Sequence, residues 1–214
     1  MNSYPKKREK EITELRAKYP NIHIMSGIEI GFERRLFDEH LKPLNDNKFD
    51  LVIMSVHFLN GLDYYKPELL MKLDPVEVMN NYFDSMLDGV TNFPRYDILG
   101  HLDYGFRSIL KVYPEQKISN YEDRLIKIFK ALIQRDKVLE INTKVQERIN
   151  DDSHTKYLID LYKKVGGVNI TVTSDSHNIE RSLSSFDKYS QMIKEAGFDH
   201  LNYFIDGIRY NYYL

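Results

Sequence analysis

Short apolar runs alternate with longer amphipathic stretches along the whole chain. The runs at residues 22–28, 49–56, 96–100, 138–141 and 168–172 are too short for helices, and several are rich in Ile and Val. They read as buried strands. Helical periodicity lies between them. Residues 5–19 are charged and amphipathic, and residues 33–45 form a second helical stretch. Asp74-Pro75 opens a third, an N-cap followed by proline in the first turn, with Leu87 near its end. Ser119-Asn120-Tyr121-Glu122 has the form of a capping box ahead of Leu125, Ile126, Ile128, Phe129 and Leu132. Residues 152–165 end before Gly166-Gly167, and residues 184–196 stop at Gly197. A terminal strand follows at residues 201–205. Strict alternation predicts a parallel sheet with helices outside it. Residues 60–73 form a longer loop, placed where a substrate loop would sit. No low-complexity linker divides the chain, so residues 1–214 read as one domain.

Chemistry collects at the ends of these strands. The last run closes on Thr173-Ser174-Asp175-Ser176-His177. Side chains two residues apart share one side of an extended chain, so Asp175 and His177 can reach one point in space. The earlier runs lead to Glu29, to His57, to His101 and Asp103, and to Asn142 and Thr143. In (β/α) barrels the active site is assembled at the C-terminal ends of several strands. Carboxylate oxygen and imidazole nitrogen together suit divalent metals. Any one of these histidines alone reads as an ordinary residue satisfied by local hydrogen bonds; jointly they read as ligands. His23, His40, His154 and His200 lack such placement and read as structural or surface residues. Asp103 has two readings of equal weight, orienting His101 from behind or capping the next turn. No Gly-x-Ser-x-Gly or Cys-x5-Arg nucleophile motif is present.

The combination resembles the PHP (polymerase and histidinol phosphatase) superfamily, in its histidinol-phosphatase branch. The matching runs are Gly27-Ile28-Glu29, residues 49–59 through Ser55-Val56-His57-Phe58-Leu59, Gly100-His101-Leu102-Asp103, Leu139-Glu140-Ile141-Asn142-Thr143 and Ser174-Asp175-Ser176-His177. Ala196-Gly197-Phe198 and Tyr203-Phe204 extend the likeness toward the end of the chain. The resemblance implies a distorted (β/α)7 TIM-like barrel with up to three divalent ions (zinc, manganese or iron) at its top, hydrolysing phosphate esters. It implies that Glu29 bridges two metals and that His57 and His101 complete one site. It places Asp175 at the first metal and His177 at the third. Arg107 is the implied phosphate clamp, with Arg148 or Lys144 as the second. The family's opening strand with a His-x-His motif has no counterpart here, nor has a histidine on the next strand. The expected fold is therefore the C-terminal five-sevenths of the barrel, without its first two strands. Exposed sheet edges then predict self-association. Three activities follow: a phosphatase acting on L-histidinol phosphate in histidine biosynthesis; a catalytically defective fragment binding metal or phosphate without turnover; or another PHP phosphoesterase such as a phosphotyrosine phosphatase.

Composition narrows the partners. Net charge is −2, which gives no electrostatic pull toward nucleic acid or anionic lipid. Lys6, Lys7, Arg8, Arg16 and Lys18 read as a solvated helix face rather than a binding stripe. The chain has no cysteine, so disulfides and thiolate ligands are excluded. No run approaches the roughly 20 apolar residues that span a bilayer. The expected setting is the cytoplasm and the expected partner a small phosphate ester. Sixteen tyrosines read as packing residues, because no basic stripe accompanies them for base stacking.

Overall fold

The computed structural model describes residues 4–144, 152–179 and 185–214, with side chains from residue 7 onward. Five strands form one parallel sheet: β1 (Gly27–Gly31), β2 (Leu51–Ser55), then β5 (Ile98–Leu99), β6 (Val138–Asn142) and β7 (Ile170–Thr173), adjacent in that order. β1 starts only at Gly27, so residues 22–26 of the first apolar run lie outside it, with Ile22 exposed rather than buried. Sequential neighbours, all parallel, are the arrangement of consecutive barrel staves. Helices precede, connect and follow these strands. They are α1 (Tyr4–Lys18), α2 (Phe37–Asp46), α3 (Pro67–Leu70), α4 (Pro75–Asn92), α5 (Tyr104–Val112), α6 (Glu122–Gln134), α7 (Ser153–Lys164) and α8 (Phe186–Glu195).

The core lies between the sheet and the long crossover helices. Met54 and Leu99 from the strands meet Phe83, Met86 and Val90 of α4 and Leu125, Phe129 and Leu132 of α6 in one continuous cluster. β6 is buried along its whole length, as a central parallel strand should be. α4 starts as its sequence predicts, with the Asp74 carboxylate accepting from Val76 N–H at 2.9 Å. The capping box at Ser119 does not form. Residues Ile118–Tyr121 make a 3₁₀ turn, and Tyr121 precedes α6 with no side-chain cap. The Glu122 carboxylate instead accepts from the Tyr157 hydroxyl of α7. α7 ends as expected, with Gly166 at φ +97 in the left-handed region that glycine occupies without strain.

Three features depart from the simple alternation. α5 lies between β5 and α6, so this crossover has two helices. The loop after His57 is folded: β3 (Phe58–Leu59) and β4 (Leu62–Asp63) pair antiparallel and α3 follows. The terminal strand is a hairpin of β8 (His200–Ile205) and β9 (Ile208–Tyr213), turned at Asp206-Gly207 with both residues at positive φ. Phe204 of this hairpin packs with Ile98 and Val138, which open β5 and β6. The hairpin thus closes the N-terminal ends of the strands and leaves the C-terminal ends clear. The basic face of α1 is not wholly solvated. Arg16 donates to the Ile24 carbonyl at 2.7 Å and to Asp50 at 2.9 Å, and the Arg8 guanidinium lies 4.4 Å from the Phe49 ring centre.

Candidate metal centre

Three side chains from three adjacent strands converge at the C-terminal edge of the sheet. Glu29 belongs to β1 itself, two residues before its end, while His57 follows β2 and His101 follows β5. His101 Nε2 lies 3.0 Å from Glu29 Oε1 and 3.1 Å from His57 Nε2, and His57 Nε2 lies 3.3 Å from the same Glu29 oxygen. Two nitrogens and one oxygen thus form a near-equilateral triangle. Ligands about 2.0–2.1 Å from a tetrahedral metal stand about 3.3 Å apart, so the triangle fits three corners of such a shell. Among the described residues this is the group of His and acidic side chains that could hold an ion.

The surroundings hold the triangle in place. Ser55 donates its hydroxyl to Glu29 Oε1 at 2.7 Å. Partial burial pushes the Glu29 carboxyl up, but the His101 bond and charge, the Ser55 hydroxyl and His57 outweigh it and bring it to about 2. Burial and the neighbouring His101 hold His57 below the ordinary histidine range, against the pull of Glu29 and Asp175. A neutral imidazole is the form that ligates. Burial also disfavours charge on His101, yet the Glu29 bond and the carboxylates of Glu140, Glu29 and Asp103 carry it above its ordinary value. Tyr104, at the start of α5, lies against both imidazoles with ring centres 4.8 and 5.0 Å away.

Beneath the triangle sits a buried carboxylate, Glu140 of β6. One oxygen accepts from the His101 backbone N–H at 2.6 Å and from Asn142 Nδ2 at 3.4 Å. The other accepts from Thr173 Oγ1 at 2.7 Å. Glu140 therefore ties together the ends of β5, β6 and β7. Burial pushes its carboxyl above the usual range, and these donors and His101 only partly offset that.

The triangle opens into a cleft of about 530 Å³, also lined by Arg107, Lys144, Asp175, His177 and Tyr65. Arg107 is buried, with its guanidinium carbon 4.9 Å from the Tyr104 ring centre. Asp175 and His177 face the same cleft but stand outside the converged group. Asp175 Oδ2 takes Lys144 Nζ at 3.0 Å, and Oδ1 lies 3.2 Å from His177 Nε2. Asp103 precedes α5 without a side-chain cap bond, and its carboxylate meets His154 Nε2 at 3.0 Å in a buried pair. Arg148 lies outside the described residues. Sequence reasoning passed over Tyr104, Ser55 and Glu140. Glu140 carried a signal, a charged residue inside an otherwise apolar strand.

A family model, the PHP domain, matches residues 4–144. The chain belongs to the PHP family. It is 34% identical over 195 residues to the histidinol-phosphatase of Lactococcus lactis subsp. lactis (strain IL1403), covering 89% of this chain and 72% of that protein. A probable histidinol-phosphatase of Clostridium acetobutylicum is 33% identical over 164 residues, or 75% of this chain and 63% of the relative. The crystal structure of the Lactococcus lactis histidinol phosphate phosphatase, complexed with zinc, L-histidinol and phosphate, superposes with a TM-score of 0.83 at 31% identity. That match covers 94% of this chain and 77% of the solved one. The PHP chain thus has the α/β fold of a TIM-like phosphatase, with five of its parallel strands described here. Among the described residues no helix is long and apolar enough to cross a membrane.

Proposed function

We propose that this PHP chain is a metal-dependent phosphomonoesterase that hydrolyses L-histidinol phosphate to L-histidinol and phosphate, acting as one unit over residues 1–214. One observation carries the reading: three ligand atoms within 3.3 Å of one another open into a cleft that also holds cationic side chains. The relatives' activity, and the zinc, histidinol and phosphate of the Lactococcus lactis complex, supply the substrate. Glu29, His57 and His101 would hold the ion. A divalent ion so held lowers the pKa of water and neutralises charge on phosphoryl oxygens.

The chain's own groups do the rest. Arg107, set against Tyr104, presents a planar fork to phosphate oxygens, a geometry that suits bidentate binding. Arg148 is the second clamp in this reading. Asp175 and His177 sit across the cleft, where a carboxylate and an exposed imidazole can handle the leaving group's proton.

The test is phosphate release from L-histidinol phosphate by purified protein with zinc, manganese or iron(II) added singly. Turnover in the wild type that is lost in Glu29→Gln and His101→Ala supports the proposal. Stoichiometric zinc binding with no turnover under any of the three ions overturns it in favour of a binding-only PHP chain.

A further inference from the structure

The Lys144–Asp175 pair has no counterpart in a scheme where Asp175 is free to join the metal centre. We propose that Lys144 is a built-in counter-cation for Asp175, so that the chain takes a single divalent ion, at Glu29, His57 and His101. The proposal rests on the metal-centre reading above.

Four observations support it. Both Asp175 oxygens are engaged, one by Lys144 Nζ at 3.0 Å and one by His177 Nε2 at 3.2 Å. The Lys144 side chain is 19% exposed and that of Asp175 34%, so the pair is partly buried. A partly buried cation and carboxylate in contact favour staying paired, because separation leaves each charge without its partner. Lys144 is also anchored at its root. Its backbone N–H donates to Asn142 Oδ1 at 3.1 Å, and Asn142 is itself tied to the buried Glu140. The ammonium is therefore aimed from the rigid end of β6. Finally, Asp175 and His177 are not in the group whose donor atoms converge.

The consequence is electrostatic. A metal ligated by Asp175 would sit about 2.0–2.2 Å from its oxygen, beside an ammonium on the same carboxylate. A double positive charge and a single one would then share one carboxylate in the cleft, where they repel each other. Removing the ammonium charge frees one Asp175 oxygen and lifts that repulsion.

The experiment is zinc stoichiometry. Wild type, Lys144→Met and the double variant Lys144→Met/Asp175→Asn are saturated with zinc and freed of excess. Elemental analysis gives ions per chain, and circular dichroism confirms folding. Glu29→Gln is the control for the primary site. The expected result is one zinc in wild type, two in Lys144→Met, one again in the double variant and none in Glu29→Gln. One zinc in both wild type and a folded Lys144→Met would overturn this proposal and leave the centre intact. Two zincs in the wild type would also overturn it. No zinc in the wild type would overturn the metal-centre reading and this proposal with it. Should Lys144→Met fail to fold, Lys144→Gln, which keeps a donor but no charge, gives the same comparison.

Discussion

Glu140 is the residue whose replacement should show most clearly how folding and ligation depend on one buried acceptor. Its side chain is buried and accepts from three donors at the C-terminal ends of β5, β6 and β7. Glu140→Ala strands the His101 N–H, and a buried donor without a partner costs about 1–3 kcal/mol. The cavity left by the lost side-chain atoms adds about 2 kcal/mol where the site cannot collapse. β6 is central and buried throughout, so collapse is resisted. The expected total is about 3–5 kcal/mol.

Glu140→Gln keeps the volume. The amide oxygen can take the place that accepts from His101 and Asn142. Its NH2 can then donate to Thr173 Oγ1, whose hydroxyl rotates. What is lost is charge assistance on two short bonds, and what is relieved is the burial of a charge. The net loss should stay below about 1.5 kcal/mol. Equilibrium urea unfolding at pH 7 measures both. A zinc titration adds a second readout, because a residue that orients a ligand from behind typically changes metal affinity about 10–100-fold. Glu140→Ala should show that weakening and Glu140→Gln little of it. Equal losses in the two variants, or a loss below about 1 kcal/mol in Glu140→Ala, would refute the reasoning, because neither fits a partner-dependent buried acceptor.

Three further outcomes are expected. Chelating the metal from protein kept in free zinc at about 100 times its Kd should remove about 2.7 kcal/mol and lower Tm by about 5–11 °C; this difference should vanish in Glu29→Gln and persist in His177→Ala. Gly105→Ala should destabilise by about 1–2 kcal/mol in thermal melts, because a Cβ there meets two Tyr82 ring carbons at 2.8 Å, and that ring is buried and held by its hydroxyl on Leu102 O; a higher Tm would show that the helix-propensity gain of about 1 kcal/mol wins instead. Arg34→Ala, which removes the guanidinium that holds the Asp88 carboxyl below its ordinary range, should cost no more than about 1 kcal/mol at pH 7, since both groups are partly exposed. A depressed carboxyl stabilises above its unfolded value and loses that contribution as pH falls through its folded value. The Arg34→Ala deficit in urea melts should therefore shrink in acid, and a deficit unchanged at pH 3 would refute the pairing.

The parts of this fold that were legible in the sequence are those set by local periodicity. Four of the apolar runs became strands, the first gave only Gly27 and Ile28 to β1, and the polar residues that follow them arrived at the same edge of the sheet. Once sequential parallel pairing is assumed, Glu29, His57 and His101 must be neighbours, because β1, β2 and β5 are neighbours. The short, polar-interrupted segments were harder to read. α5 is only nine residues long and carries Tyr104 and Arg107 on a helix that opens directly after a ligand. The His57 loop hides a hairpin turned at Asn60-Gly61, and the chain end hides another at Asp206-Gly207; in both, the two turn residues have the positive φ that such dipeptides favour. The capping box failed for a different reason. Glu122 found a tertiary partner in Tyr157, and the first turn tightened to 3₁₀ ahead of it. The split of the ligand set was beyond sequence altogether. Asp175 and His177 are correctly spaced to share a point, and they do meet, but the cation beside Asp175 is Lys144. Spacing fixes which side chains can converge. Which charge they converge on depends on a residue 31 positions away, delivered by the adjacent strand.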